Sequence, residues 1–272
     1  MAENIREQIF AKVKARRVRA VLRCCSSGVL AGIDEFCEGA SKIGLEVTSI
    51  GKNGTEAREG DIVAVLEGSP VEITTGEETL IGLVAKPSGV ATAAKKAVVL
   101  ADGKVEVVCG AWKKVPPIAK DTLRKAASVG SVKVRISDRP FLYLDKNYVR
   151  ILGGVKQALE AVSFMEDLIK VVQIRGDLKG IESETVEAVE GNADIIFVDT
   201  GKIEDLRIAL RSVKRLNARN RVKIAFGGNV SISVIPTLIK EELDILEIGR
   251  EIIDAPLLDL RFDVTDVWSI DA

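Results

Sequence analysis

The sequence predicts an α/β protein, with an N-terminal α+β sandwich domain followed by a C-terminal parallel α/β barrel. After Ala101-Asp102-Gly103 the rhythm changes, and strand-like runs begin to alternate with helical ones. Repeated βα units imply a parallel sheet, because each crossover must return right-handed over it. An open doubly wound sheet also satisfies that rule. Glycines at the ends of late strands (Gly227-Gly228, Gly249), with no GxGxxG after an early strand, favour the barrel. The expected domains are residues 1–104 joined by 258–272, and residues 105–257.

In the first domain, β-rich pieces at Arg19 to Cys25, Leu45 to Ile50 and Asp61 to Leu66 are separated by the turns Lys52-Asn53-Gly54 and Arg58-Glu59-Gly60-Asp61. One helix is expected near Asp34 to Ile43. Another runs from about Glu77 to Val99, broken at Pro87-Ser88-Gly89. In the second domain, strands are expected at Val105–Cys109, Val132–Ile136, Phe141–Leu144, Val171–Ile174, Asp194–Val198, Val222–Ala225 and Ile245–Ile248. Helices lie between them, near Lys120 to Ser128, Val155 to Leu168, Ser183 to Val189, Ile203 to Leu216 and Ile232 to Lys240. Leu257 to Trp268 alternates like a further strand and is expected to pair with the first domain.

A 47% hydrophobic share over 272 residues is enough to build such a core without disulfides. The charged N-terminus and the lack of any apolar run of about eighteen residues read as a cytoplasmic chain with no membrane partner. Cys24, Cys25, Cys37 and Cys109 lack CxxC spacing and read as buried reduced thiols. A net charge of −1 gives no electrostatic case for nucleic acid. The basic run Lys12, Lys14, Arg16, Arg17, Arg19, Arg23 reads as a solvated helix face leading into the first strand. The sequence has 0 histidines, which removes Ser-His-Asp and Cys-His nucleophile systems, His-ligated zinc and His acid–base chemistry.

The strand period of two puts Lys133 and Arg135 on one face of their strand, and Gln173, Arg175 and Asp177 on one face of theirs. Asp199 closes its strand after Ile195 and Phe197. With helices covering the outside of a barrel, these polar faces point to the lumen or its mouth. Lys133, Arg135 and Arg175 would then form an anion-binding cup balanced by Asp177 and Asp199. A structural ion-pair network is the other reading. Gly227-Gly228-Asn229 precedes a helix starting near Ser231, whose free amides can hold a phosphate, and Arg250 after Gly249 can add a contact. Lys113 and Lys114 either face the pocket or stand in water.

Several stretches resemble the quinolinate phosphoribosyltransferases, the carboxylating nicotinate-nucleotide pyrophosphorylases. They are Ser27 to Gly32 (SGVLAG), Glu59 to Gly68 (EGDIVAVLEG), Pro87 to Thr92 (PSGVAT), Ala193 to Asp199 (ADIIFVD), Phe226-Gly227-Gly228, and Ile248-Gly249 with Ala255 to Asp259 (APLLD). The resemblance runs from about residue 20 to 264. It implies a phosphoribosyltransferase type II fold and a homodimer or higher homo-oligomer. It also implies phosphoribosyl pyrophosphate with Mg²⁺, and conversion of quinolinate to nicotinate mononucleotide with loss of carbon dioxide. Asp199 with Asp177 would hold Mg²⁺ or the ribose hydroxyls, and Gly227, Gly228 and Gly249 the 5′-phosphate. Lys113, Arg135 and Lys146 would face pyrophosphate or a small anionic acceptor. The chain departs from the family where Trp112 takes an arginine's place, Val134 and Tyr148 take histidines' places, Thr79 an arginine's and Ile224 a carboxylate's. The phosphate side is kept and much of the dicarboxylate grip is lost. The resemblance therefore implies a changed acceptor or, alternatively, a catalytically silent sugar-phosphate-binding relative.

Overall fold

A computed structural model describes residues 5–269, so residues 1–4 of the charged N-terminal segment and 270–272 of the closing segment lie outside it. Two compact units divide the chain. One holds residues up to 95 with 115–131 and those from 252 on, the other 96–114 with 132–251. The first unit opens with α1 (Ile5–Ile9), β1 (Arg16–Cys24), β2 (Gly28–Val29), α2 (Ile33–Lys42), β3 (Glu46–Ile50), β4 (Glu56–Ala57), β5 (Ile62–Gly68) and α3 (Pro70–Ala101), which crosses into the second unit. Then come β6 (Glu106–Val108), α4 (Pro117–Val129), β7 (Phe141–Leu144), α5 (Lys146–Leu152), α6 (Val155–Glu160), β8 (Ile169–Ile174), α7 (Ile181–Glu190) and β9 (Ile195–Asp199). The chain closes with α8 (Ile203–Arg215), β10 (Lys223–Gly227), α9 (Ile235–Leu238), β11 (Ile245–Glu247), α10 (Arg250–Ile253) and β12 (Leu260–Ser269).

In the first unit an antiparallel sheet runs in the order β12-β1-β5-β3. The β12–β1 pairing is the one that the alternation of Leu257 to Trp268 predicts. Val18, Ala20 and Leu22 from β1 and Ala64 and Leu66 from β5 share one core with Phe36 of α2 and Ile73, Leu80 and Val84 of α3. Burying a leucine or phenylalanine fully contributes about 1.5–3 kcal/mol. The basic run is not a helix face from Arg16 onward. Arg16, Arg17, Arg19 and Arg23 lie on β1, where Arg17 reaches Glu46 at 2.7 Å and Arg19 reaches Glu67 at 2.9 Å on neighbouring strands. The period has already switched to two, and Val18, Ala20 and Leu22 hold the opposite face in the core. Helix α4, expected within the barrel domain, belongs to the first unit. Cys24 and Cys109 are buried, whereas Cys25 and Cys37 are only half-buried, and all four are free thiols.

Helix α3 differs most from expectation, because it begins at Pro70 and runs through Pro87 without a break. Pro87 forfeits the bond to the Leu83 carbonyl. That carbonyl abuts Gly32, where a Cβ would lie 1.9 Å from the Leu83 oxygen. Two residues on, the Ala85 carbonyl accepts from the Leu258 N–H at 2.9 Å. The buried Ser88 hydroxyl accepts from the Ala31 N–H at 2.9 Å and donates to the Ala31 carbonyl at 3.2 Å. Distant segments thus satisfy the irregular turn, which no local sequence signal displays.

In the second unit six parallel strands run in the order β6-β11-β10-β9-β8-β7. The strand expected over Val132–Ile136 is reduced to a single parallel bridge between Lys133 and Val108. Ser131 enters it with φ of 70°, which breaks extended geometry at its start. Among the described residues the ring is therefore continuous except for one seam, between the Lys133 segment and β7. Edge strands of a flat six-stranded sheet would stand about 24 Å apart. Here the edges meet, since Lys113, shortly after β6, lies 3.8 Å from Asp145, just after β7, and Phe141 and Tyr143 of β7 pack against a cluster of Val108, Val171, Ile195, Phe197, Ala225 and Ile245. The sheet is rolled, and this cluster fills its lumen. Among the described residues no helix is long and apolar enough to cross a membrane.

Replacing Ser88 by Ala leaves the buried Ala31 N–H and C=O without their partner. Urea denaturation is expected to show a loss of about 1–3 kcal/mol.

Candidate active site at the barrel rim

Residues two positions beyond the lumen cluster form the next layer, at the carboxyl ends of the strands. Above Phe197 stands Asp199, above Ala225 Gly227, above Ile245 Glu247 and above Val171 Gln173. Gly227 is in register with Asp199, so the first strand-end glycine and the carboxylate are direct neighbours. Gly228 follows with φ of 100°, and a Cβ there would lie 2.9 Å from the Asp199 carbonyl carbon.

Asp199 is held on two sides. Arg175 binds its Oδ2 at 2.7 Å, and the Gln173 amide donates to the same oxygen. Gln173 Oε1 in turn accepts from the Lys146 N–H at 2.7 Å, tying the start of α5 to β8. The loop carrying Arg175 is fixed by Glu184, buried on α7, whose carboxylate accepts from the N–H groups of Arg175 at 3.0 Å, Gly176 at 2.8 Å and Leu178 at 3.2 Å. Arg175 Nε is buried without a hydrogen bond, 3.7 Å from Asp177, whose carboxylate takes Arg150 at 2.5 Å. Asp145 caps α5 through the Asn147 N–H at 2.8 Å and lies 3.8 Å from Lys113 Nζ.

Glu247, which sequence reasoning missed, is the carboxyl most perturbed in this layer. Its side chain fits between three glycines. A Cβ on Gly110 would lie 1.9 Å from Glu247 Oε1, one on Gly227 2.7 Å from Oε2, and one on Gly249 2.9 Å from Oε1. Burial and the Asp199 charge push its carboxyl up to about 7, against the pull of the Gly228 N–H, Lys114 and Lys113. The same desolvated setting raises the Tyr143 phenol and the Cys109 thiol. The available signal was a glutamate at an inward position of a strand flanked by Ile245 and Gly249.

The expected anion cup does not assemble. Lys133 is taken by Asp138 at 2.6 Å and Glu106 at 2.9 Å, because its strand is only a bridge beside β6. Arg135 lies over the Phe141 ring at 6.0 Å, across the seam, and is exposed. Arg175 alone enters the polar layer. Asp199, Gly227 and Gly228 come together, and Gly249 joins them through Glu247. Lys113 and Lys146 stand at the rim, while Arg250 is exposed at the start of α10. The helix expected after Gly228 is a short turn at Ile232–Val234 and then α9. Its first amides are already used, Ile232 N–H by Glu251 at 2.8 Å and Ser233 N–H by Ser231 at 3.3 Å. Asp177 and Asp199 are both engaged by Arg175. Among the described residues no group of three or more Cys, Asp or Glu side chains is arranged to hold a metal.

Family models match the two parts of the chain. Quinolinate phosphoribosyl transferase, N-terminal domain, matches residues 6–88, and quinolinate phosphoribosyl transferase, C-terminal domain, matches residues 90–263. A probable nicotinate-nucleotide pyrophosphorylase (carboxylating) of Archaeoglobus fulgidus is 28% identical over 260 residues, covering 93% of this chain and 96% of that one. The human nicotinate-nucleotide pyrophosphorylase (carboxylating) is 25% identical over 243 residues, covering 89% and 80%. The solved structure of the Francisella tularensis nicotinate-nucleotide pyrophosphorylase shares the fold, with a TM-score of 0.81 at 21% identity over 97% of this chain and 91% of that one.

Two outcomes follow from the Glu247 cradle. Gly110→Ala is expected to cost about 1–3 kcal/mol by overpacking, with much of that loss recovered when Glu247 is also replaced by Ala, as a double-mutant cycle of unfolding energies measures. A carboxyl raised in the folded state contributes stability that is complete below its unfolded value of 4.5 and lost as pH rises through about 7. Glu247→Gln should therefore lose less stability than the wild type between pH 5 and pH 8.5, by on the order of 3 kcal/mol in thermal or urea unfolding.

Proposed function

The chain belongs to the quinolinate phosphoribosyltransferase family, and from that premise we propose that it transfers a phosphoribosyl group from phosphoribosyl pyrophosphate to a small anionic pyridine acceptor, quinolinate in the family's own reaction. The observation that carries this reading is the adjacency of Asp199 and Gly227-Gly228 at the carboxyl rim of a rolled parallel sheet, within a chain that both family models span from 6 to 263. Parallel α/β barrels receive phosphorylated ligands at this rim.

Phosphoribosyl transfer passes through a ribosyl cation-like state, so positioning and electrostatics carry the chemistry and the lack of histidine is no obstacle. Asp199, held in one orientation by Arg175 and Gln173, supplies negative charge to the developing cation. Lys113 and Lys114 at the rim attract the departing diphosphate, and Arg175 Nε offers a buried donor to an acceptor carboxylate. Mg²⁺ enters this reading with the diphosphate, not as a resident of the protein. The enzyme is read as cytoplasmic and homodimeric.

The test is pyrophosphate release by the purified protein with phosphoribosyl pyrophosphate, Mg²⁺ and a panel of pyridine and aromatic acids. Release that depends on a pyridine acid is expected. Asp199→Asn should lower kcat/KM by about 10²-fold, the scale on which a single electrostatic contact acts. Binding of phosphoribosyl pyrophosphate without release would instead identify a silent ligand-binding relative.

A further inference from the structure

A phosphate received at the Gly-Gly strand end would take the Gly228 N–H and the first amides of the turn that follows. Both places are already taken by carboxylates of one short segment. The Glu247 carboxylate lies against Gly227 and Gly249, and Ile232 N–H donates to Glu251 Oε2 at 2.8 Å. The glycines that mark a phosphate site in the sequence are, in the folded chain, the space that admits Glu247. Gly110, Gly227 and Gly249 each leave out a Cβ that would fall within 3 Å of its carboxylate oxygens.

On the phosphoribosyl reading above, we propose that Glu247 is the specificity-determining residue of this rim: its carboxylate stands where a ligand phosphate would be received, and a phosphate monoester enters only as that carboxylate leaves its cradle between Gly110, Gly227 and Gly249. A dianion beside a half-buried carboxylate is repelled strongly in so desolvated a place. The charged and titratable groups facing Glu247 do not offset this. From β9 comes Asp199, from β7 Tyr143 with Asp145 just beyond it, and from the segment after β6 Cys109, Lys113 and Lys114. Of the cations, Lys113 is drawn to Asp145, and Arg175 is bonded to Asp199. The carboxylate yields most readily when it carries a proton, and burial already brings its titration near neutrality. Phosphate binding is then coupled to proton uptake and weakens as pH rises through that range. An unphosphorylated sugar meets no such barrier, so position 247 sets how strongly the rim prefers phosphorylated over unphosphorylated ligand.

Calorimetric titration of the full chain with phosphoribosyl pyrophosphate, and separately with sulfate, which stays a dianion throughout, tests this at pH 6 and pH 8.5 in the wild type, Glu247→Gln and Glu247→Ser. The wild type should bind both ligands at least about tenfold more weakly at pH 8.5 than at pH 6. Both variants should lose the pH dependence for sulfate and bind both ligands at pH 8.5 at least about tenfold more tightly than the wild type. Equal affinities of the wild type and both variants at pH 8.5, or pH-independent sulfate binding by the wild type, would overturn the proposal while leaving phosphoribosyl transfer standing. No binding of phosphoribosyl pyrophosphate by any of the three proteins at either pH would instead bring down the phosphoribosyl reading, and this proposal with it.

Discussion

Two carboxylates, Asp199 and Glu247, face the same lumen, and the guanidinium of Arg175 is bonded to only one of them. Asp199 is gripped by Arg175 and Gln173. Glu247, walled by glycine and raised by burial and by the Asp199 charge, becomes the group whose charge depends on its surroundings. The rest of the rim is arranged around that inequality. Glu184 holds the loop that delivers Arg175, and Gln173 links Asp199 to the start of α5.

The inequality exists only because the sheet is rolled. In an open sheet Ile195, Phe197 and Asp199 would face a covering helix, as would Ile245 and Glu247. Rolled, the same alternation stacks Val171, Ile195, Ala225 and Ile245 into an apolar floor and lifts Gln173, Asp199, Gly227 and Glu247 into one polar layer above it. The floor removes water from below, and this makes the charges in the layer matter.

Much of this was legible in the sequence where the signal is local. The two-residue period located nearly every strand, and strand ends sharing one barrel rim bring Asp199 of DIIFVD and the Gly227-Gly228 after VKIAF together. What stayed hidden depends on distant partners. Pro87 reads as a helix break until Ala31 and Leu258 are seen bonded to the turn around it, with Gly32 leaving room for the Leu83 carbonyl. Lys133 and Arg135 share a face by parity, yet one is claimed by Glu106 and Asp138 and the other by the Phe141 ring. Glu247 escaped because a glutamate at a strand end looks solvated. Its burial follows from the missing side chain of Gly110, more than a hundred residues away in the chain. Strand-end glycines carry a double meaning, since a residue without Cβ makes room equally well for a ligand phosphate and for a neighbouring side chain.

The most direct measurement is a crystal structure of the protein with ribose 5-phosphate. The phosphate should lie within hydrogen-bond distance of the Gly228 N–H, beside Asp199, with the Glu247 side chain turned out of its glycine cradle. A phosphate bound elsewhere, with Glu247 still in that cradle, would contradict the account.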